Sequence, residues 1–116
     1  MASMYDLALI GMGSAGLTAA PFARDLGASV AAIEKARPGG DCTWTGCVPS
    51  KTLIKAARLV HQMRNGDHYG LEPVEPGVRY SRVLEHVREV IDDIYQPTSP
   101  DSLRAGGLDV FPGEPR

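Results

Sequence analysis

The sequence predicts an α/β fold, a parallel sheet with helices packed on it, and three observations carry that prediction. A short apolar run from Leu7 to Ile10 leads into the glycine-rich turn "GMGSAG", residues 11–16. Apolar residues near helical spacing follow, at Leu17, Ala20 and Leu26. A second apolar run, "SVAAIE", then ends on Glu34, about twenty residues beyond the turn. Strand, turn, helix and strand in that order form a β-α-β unit, and 116 residues allow one small domain.

In such a unit each glycine has a job. Gly11 makes the turn tight, Gly13 lets a pyrophosphate approach the backbone, and Gly16 lets the helix pack on the strand. The helix N-terminus offers unpaired N–H groups and a positive dipole end to phosphate. Glu34 can accept hydrogen bonds from both hydroxyls of an adenosine ribose, and its charge repels a 2′-phosphate, which disfavours NADP at this position. The unit is Rossmann-like and predicts dinucleotide binding. Pro21, about two turns into the helix, removes a backbone hydrogen bond and predicts a local bend.

The remaining elements follow from periodicity and punctuation. "SKTLIKAARLVHQMRNG" reads as a helix with Leu53, Ala57, Val60 and Met63 on one face and Asn65-Gly66 as its stop. "HYGLEPVEPGVRYS" is a loop broken by Pro and Gly. Val83, Val87, Val90, Ile91 and Ile94 then trace the stripe of a second long amphipathic helix. "TSPDSLRAGG" predicts a short helix capped by Ser99 with Pro100 at its first position, and "LDVFPGE" predicts the last strand.

Composition excludes several function classes. Twelve basic and 14 acidic side chains are mixed along the chain, with a net charge of −2, so nothing attracts nucleic acid or a membrane surface. The apolar runs fall short of the roughly 20 residues that span a bilayer. A cytoplasmic location is expected.

The chain has 2 cysteines, both in "GGDCTWTGCVPSK", residues 39–51. In the cytosol such a pair is more often catalytic or metal-binding than a structural staple. Cys42 and Cys47 follow the loop that leaves Glu34 and are expected to open the helix that continues through Lys51. The helix dipole and Lys51 predict low thiol pKa values. About one and a half turns separate the sulfurs in an ideal helix, so a disulfide needs a distortion, which Gly46 and Pro49 permit. A reversible disulfide beside a redox cofactor fits these residues. The alternatives are a metal site, for which a second ligand pair is missing and no metal ligand is assigned, and two inert buried thiols. Lys51 has the plainer alternative of a solvated helix residue.

"GMGSAG", Glu34 and "GGDCTWTGCVPSK" together resemble the flavoprotein disulfide reductases, the pyridine nucleotide–disulfide oxidoreductases, and the "GGDC-x-W" form is similar to a mercuric-reductase-like branch. The resemblance implies FAD as cofactor and NAD(P)H as co-substrate. It implies Gly11, Gly13, Ser14 and Gly16 at the FAD pyrophosphate, Glu34 at the adenosine ribose, and Ala15, Lys35, Gly40 and Asp41 among the other cofactor contacts. It implies Cys42 as the thiol that attacks substrate, Cys47 as the thiol beside the isoalloxazine, and Lys51 near the flavin. Electrons would pass from NAD(P)H through flavin to the Cys42–Cys47 disulfide, then to a disulfide or metal-ion acceptor, in a homodimer. Asp41, Trp44 and Thr45 depart from the family's better-known forms. The resemblance also implies that residues 1–116 are the N-terminal part of an FAD-binding domain, incomplete relative to the family, without the NAD(P)H and interface domains. His61, His68 and His86 take no catalytic role and are expected at the surface. The alternative reading is a non-catalytic FAD- or nucleotide-binding fragment.

Overall fold

A computed structural model describes residues 4–115; residues 1–3 and 116 of the expected domain lie outside the described residues. Strand β1 (Leu7–Ile10), helix α1 (Ser14–Asp25) and strand β2 (Val30–Glu34) form the β-α-β unit. The strands pair in parallel with Leu7 opposite Val30 and Ile10 opposite Ile33. Both therefore end at the same edge of the sheet, where the glycine turn begins. Helix α1 runs through Pro21 without interruption. Its packing face survives there because Ala20 is fully buried against the sheet.

Beyond β2 come α2 (Gly40–Trp44), α3 (Cys47–Arg64), α4 (Tyr80–Tyr95) and α5 (Pro100–Ala105). Strand β3 (Asp109–Pro112) returns beside β2, also in parallel, to complete the sheet order β1-β2-β3. Ser99 caps α5 by accepting a hydrogen bond from the Ser102 amide at 3.3 Å, with Pro100 at the first helical position.

One face of the sheet is closed. Val30, Ala32 and Val110 pack with Ala20 of α1, Leu103 of α5, Leu108 and Met12 into the core, and Leu7, Leu9 and Leu17 lie against it. Arg24 of α1 donates to the Gly106 carbonyl after α5, so the two covering helices are tied to each other. The opposite face is more open: Ile10 is 74% exposed and Phe111 44%.

Helices α3 and α4 form a hairpin that projects from this body, giving the chain extents of 71 × 27 × 22 Å. The chain turns at Gly66–Tyr69, and the Val74 amide donates to the Met63 carbonyl at 2.8 Å. Arg64 clamps Glu75 across the turn. The face predicted for α3 is displaced. Val48, Thr52, Ala56 and Val60 are its half-buried line, whereas Leu53 and Ala57 are exposed. Spacing alone marks an apolar arc, but the partner helix selects which edge of that arc it covers. On α4 the predicted stripe holds, with Val87 buried and Val83, Val90 and Ile91 half-buried; Ile94 at its end is 44% exposed.

The largest departure lies between the cysteines. They do not share one helix: α2 ends at Trp44, Thr45 and Gly46 break the path, and α3 starts at Cys47. A Cβ on Gly46 would stand 2.8 Å from the Asp41 carbonyl oxygen, so the sharp corner there depends on glycine.

Candidate functional site

The site is built where the glycine turn meets the segment after β2. Gly11 adopts φ +93°, a conformation that glycine takes without strain. Gly16 lies against it so closely that a Cβ would stand 2.2 Å from the Gly11 carbonyl oxygen. Opposite them, the Gly39 amide donates to the Met12 carbonyl at 2.8 Å, and a Cβ on Gly40 would lie 3.0 Å from the Gly13 Cα. The Gly39–Met12 hydrogen bond and the Gly13–Gly40 contact thus bring the start of α2 onto the start of α1.

Glu34 holds the same turn from the strand end. Its carboxylate accepts from the Met12 amide at 2.7 Å and from the Ala36 amide at 2.9 Å, one bond to each oxygen. Sequence reasoning assigned this acid to a ribose and missed that it also caps the glycine turn. A crevice of about 180 Å³ opens beside it, lined by Gly11, Ile33, Glu34, Lys35 and Glu114 among others. Lys35 is exposed there, 3.5 Å from Glu114. A larger cavity of about 640 Å³, lined by His61, Asn65, His68 and Tyr69, lies at the hairpin turn and includes none of the predicted site residues. All three histidines are exposed.

Both cysteines are free thiols, Cys42 half-buried and Cys47 exposed, which removes the reading of an inert buried pair. The helix break lets them face each other. Hydrogen bonding from the Cys47 thiol, then from the Ser14 hydroxyl, with a smaller contribution from the Lys51 ammonium, holds Cys42 below the ordinary thiol range. Cys47 moves the other way, because its hydrogen bond to Cys42 and the charge on Cys42 keep its proton in place. The expectation of two acidic thiols is therefore corrected to one. Facing thiols cannot both ionise easily, and the first charge raises the cost of the second.

The structure thus gathers Gly13, Ser14, Gly40, Cys42 and Cys47 into one cluster, with Lys51 a helical turn beyond Cys47 and exposed. Ala15 and Asp41 are exposed in the first turns of α1 and α2.

A second feature was not foreseen. Trp44 sits between the cysteines and is held from three sides. Its Nε1 donates to the Pro38 carbonyl at 2.9 Å, the Arg37 guanidinium carbon lies 3.3 Å from its ring centroid, and the Tyr95 ring stands 4.8 Å away. Pro38 is itself fully buried. The signal available in the sequence was the chain's only tryptophan, placed between its only cysteines.

Residues 5–99 match the pyridine nucleotide-disulphide oxidoreductase family. The chain belongs to that family. It is 32% identical over 97% of its length to a dihydrolipoyl dehydrogenase of Bacillus subtilis. It is 31% identical over 95% to a mercuric reductase of Lysinibacillus sphaericus, and 38% identical over 69% to a mercuric reductase of Streptomyces lividans. These alignments span 24%, 20% and 17% of the relatives' own lengths, so the family segment in hand is about a fifth of a typical member. Its Rossmann-like α/β architecture agrees with that membership. Among the described residues no helix is long and apolar enough to cross a membrane.

Proposed function

We propose that this chain is the FAD-binding, thiol-bearing segment of an oxidoreductase that carries electrons from NAD(P)H to a disulfide or metal-ion acceptor. The observation that carries the reading is the broken helix, which turns Cys42 and Cys47 toward each other at the N-terminus of α1. The residues fit the cofactor. Gly16 lets the turn close tightly on Gly11 ahead of the α1 N-terminus, and no acidic residue occupies the first turn of α1 to oppose phosphate. Glu34 lies at the crevice with a carboxylate able to take ribose hydroxyls. When bound, the flavin supplies the two-electron relay between reduced nicotinamide and the disulfide.

The chain's own part is thiol chemistry. Ser14 and Cys47 hydrogen-bond the Cys42 sulfur and favour its thiolate, the nucleophilic form. Cys47 keeps its proton until Cys42 is consumed, then serves as the resolving thiol. The same reading places the protein in the cytoplasm, where a dithiol can cycle. It also makes it a homodimer, supported by exposed apolar side chains such as Ile54 at 51% and Leu59 at 56%.

The test is FAD titration of the chain and of Glu34→Ala. Losing the ribose contacts should weaken binding by about tenfold, equivalent to roughly one charge-assisted hydrogen bond. Equal affinity would sink the ribose assignment, and an FAD spectrum indifferent to reduction of the cysteine pair would sink the thiol–flavin proximity.

A further inference from the structure

Cys47 opens α3, and along this helix Lys51, Lys55 and Arg58 follow it at i+4, i+8 and i+11. At about 100° per residue these positions fall within an arc of about 80° that includes the thiol. All four residues are exposed. The packed side of the helix, marked by the half-buried line Val48, Thr52, Ala56 and Val60, lies on a different arc. Helix α3 contains no Asp or Glu. Its other cation, Arg64, points elsewhere and is taken by Glu75. No ion pair among the described residues includes Lys51, Lys55 or Arg58. Helix α4 shows the contrast, because its Arg82 is neutralised by Glu85 and Glu89. The nearest acid in sequence to the thiols is Asp41, in the first turn of α2. The unopposed positive end of the α3 dipole adds to the stripe at the Cys47 end.

We propose that this stripe selects the acceptor, and that the acceptor is a disulfide carried on an acidic peptide; the inference rests on the redox reading of Cys42 and Cys47 given above. The dimensions agree. The stripe's Cα positions lie about 6, 12 and 16 Å from Cys47 along the helix. An extended peptide covers about 3.3 Å per residue, so acidic residues four and five positions from its cysteine lie alongside Lys55 and Arg58 while its disulfide is at the thiols. The reaction balances without another reactant. The Cys42 thiolate attacks one peptide sulfur, the peptide S–S bond breaks, and the departing peptide thiolate takes a proton. Cys47, losing its proton to solvent, then attacks the Cys42 sulfur, forms the Cys42–Cys47 disulfide and releases the second peptide thiol. The peptide disulfide is reduced by two electrons and the cysteine pair is oxidised by two.

The experiment uses the reduced chain and three symmetric peptide disulfides of sequence Gly-Cys-Gly-Gly-Gly-X-X, with X as Glu, Gln or Lys. Formation of the Cys42–Cys47 disulfide is followed by quenching and mass spectrometry. The acidic peptide should react about tenfold faster than the basic one, with the neutral peptide between, as expected for charge steering near a reactive group. This ratio should fall toward one in Lys55→Glu/Arg58→Glu. It should persist in Arg79→Glu/Arg88→Glu, which changes the net charge equally at the N-cap and on the body of α4. It should also shrink between about 0.01 M and 0.1 M salt, as the Debye length falls from about 30 to 10 Å. Equal rates for the three peptides, or a preference that survives the α3 double substitution, would overturn the proposal while leaving the redox pair intact. If no peptide yields the Cys42–Cys47 disulfide, the redox reading fails and the acceptor proposal falls with it.

Discussion

Gly13 and Gly40 meet backbone to backbone: a Cβ on Gly40 would stand 3.0 Å from the Cα of Gly13. This contact joins the glycine turn to the thiol segment, which are separate motifs in the sequence. It depends on the turn keeping its shape, and that shape depends on Gly16 fitting under Gly11.

Gly16→Ala should therefore be damaging out of proportion to one methyl group. The new Cβ would meet a backbone oxygen at 2.2 Å, and a backbone atom cannot rotate away. Overpacking of this kind should cost about 3 kcal/mol. Chemical denaturation would show it as a lower midpoint with an unchanged slope. A midpoint within error of the parent would mean that the turn is not packed as described.

Trp44 offers an optical test of how the thiol segment is held. As the only tryptophan, it makes the intrinsic emission a report on residues 42–47. Closing the Cys42–Cys47 disulfide should quench that emission through the adjacent sulfurs, and reduction should restore it. Trp44→Phe removes the bond to the Pro38 carbonyl and should lower stability by about 1 kcal/mol. An emission spectrum identical in both redox states would contradict the placement of the ring.

The β-α-β unit was legible in the sequence because the glycines of residues 11–16 sit between an apolar run and a helical pattern, whereas the hold of Glu34 on the turn shows only in the fold. The two long helices were legible from periodicity. The corner at Thr45-Gly46 was legible only in part: Gly46 was read as permitting a distortion, but the Asp41 carbonyl packed against Gly46 is what shows that the helix breaks there. Trp44's partners were hidden for a similar reason: Arg37 and Tyr95 are brought together by the fold, from distant parts of the chain. The thiols' opposite pKa shifts depend on their facing each other, which one continuous helix would have prevented.

Those opposite shifts predict an order of reaction. Alkylation by a neutral reagent proceeds through the thiolate, so its rate should rise with pH through the pKa of each thiol. Cys42, with its pKa lowered, should be modified first and should show a midpoint below that of an ordinary thiol. Ser14→Ala removes a hydrogen bond to the thiolate and should move this midpoint upward; Lys51→Met should move it upward by less. Peptide mapping of partly alkylated protein would show the order. Preferential labelling of Cys47 at low pH would reverse the assignment of nucleophile and resolving thiol.

The most direct measurement is disulfide mapping of the chain after mild oxidation, followed by dithiol reduction. Oxidation should give one intrachain crosslink between Cys42 and Cys47, a loss of two hydrogens, and complete recovery of both thiols on reduction. In Cys42→Ser and Cys47→Ser, oxidation should instead leave reagent adducts or crosslinks between chains. If the unaltered chain gave only such adducts or interchain crosslinks under conditions where it remains folded, the two thiols would not be a redox pair, and the central claim would be wrong.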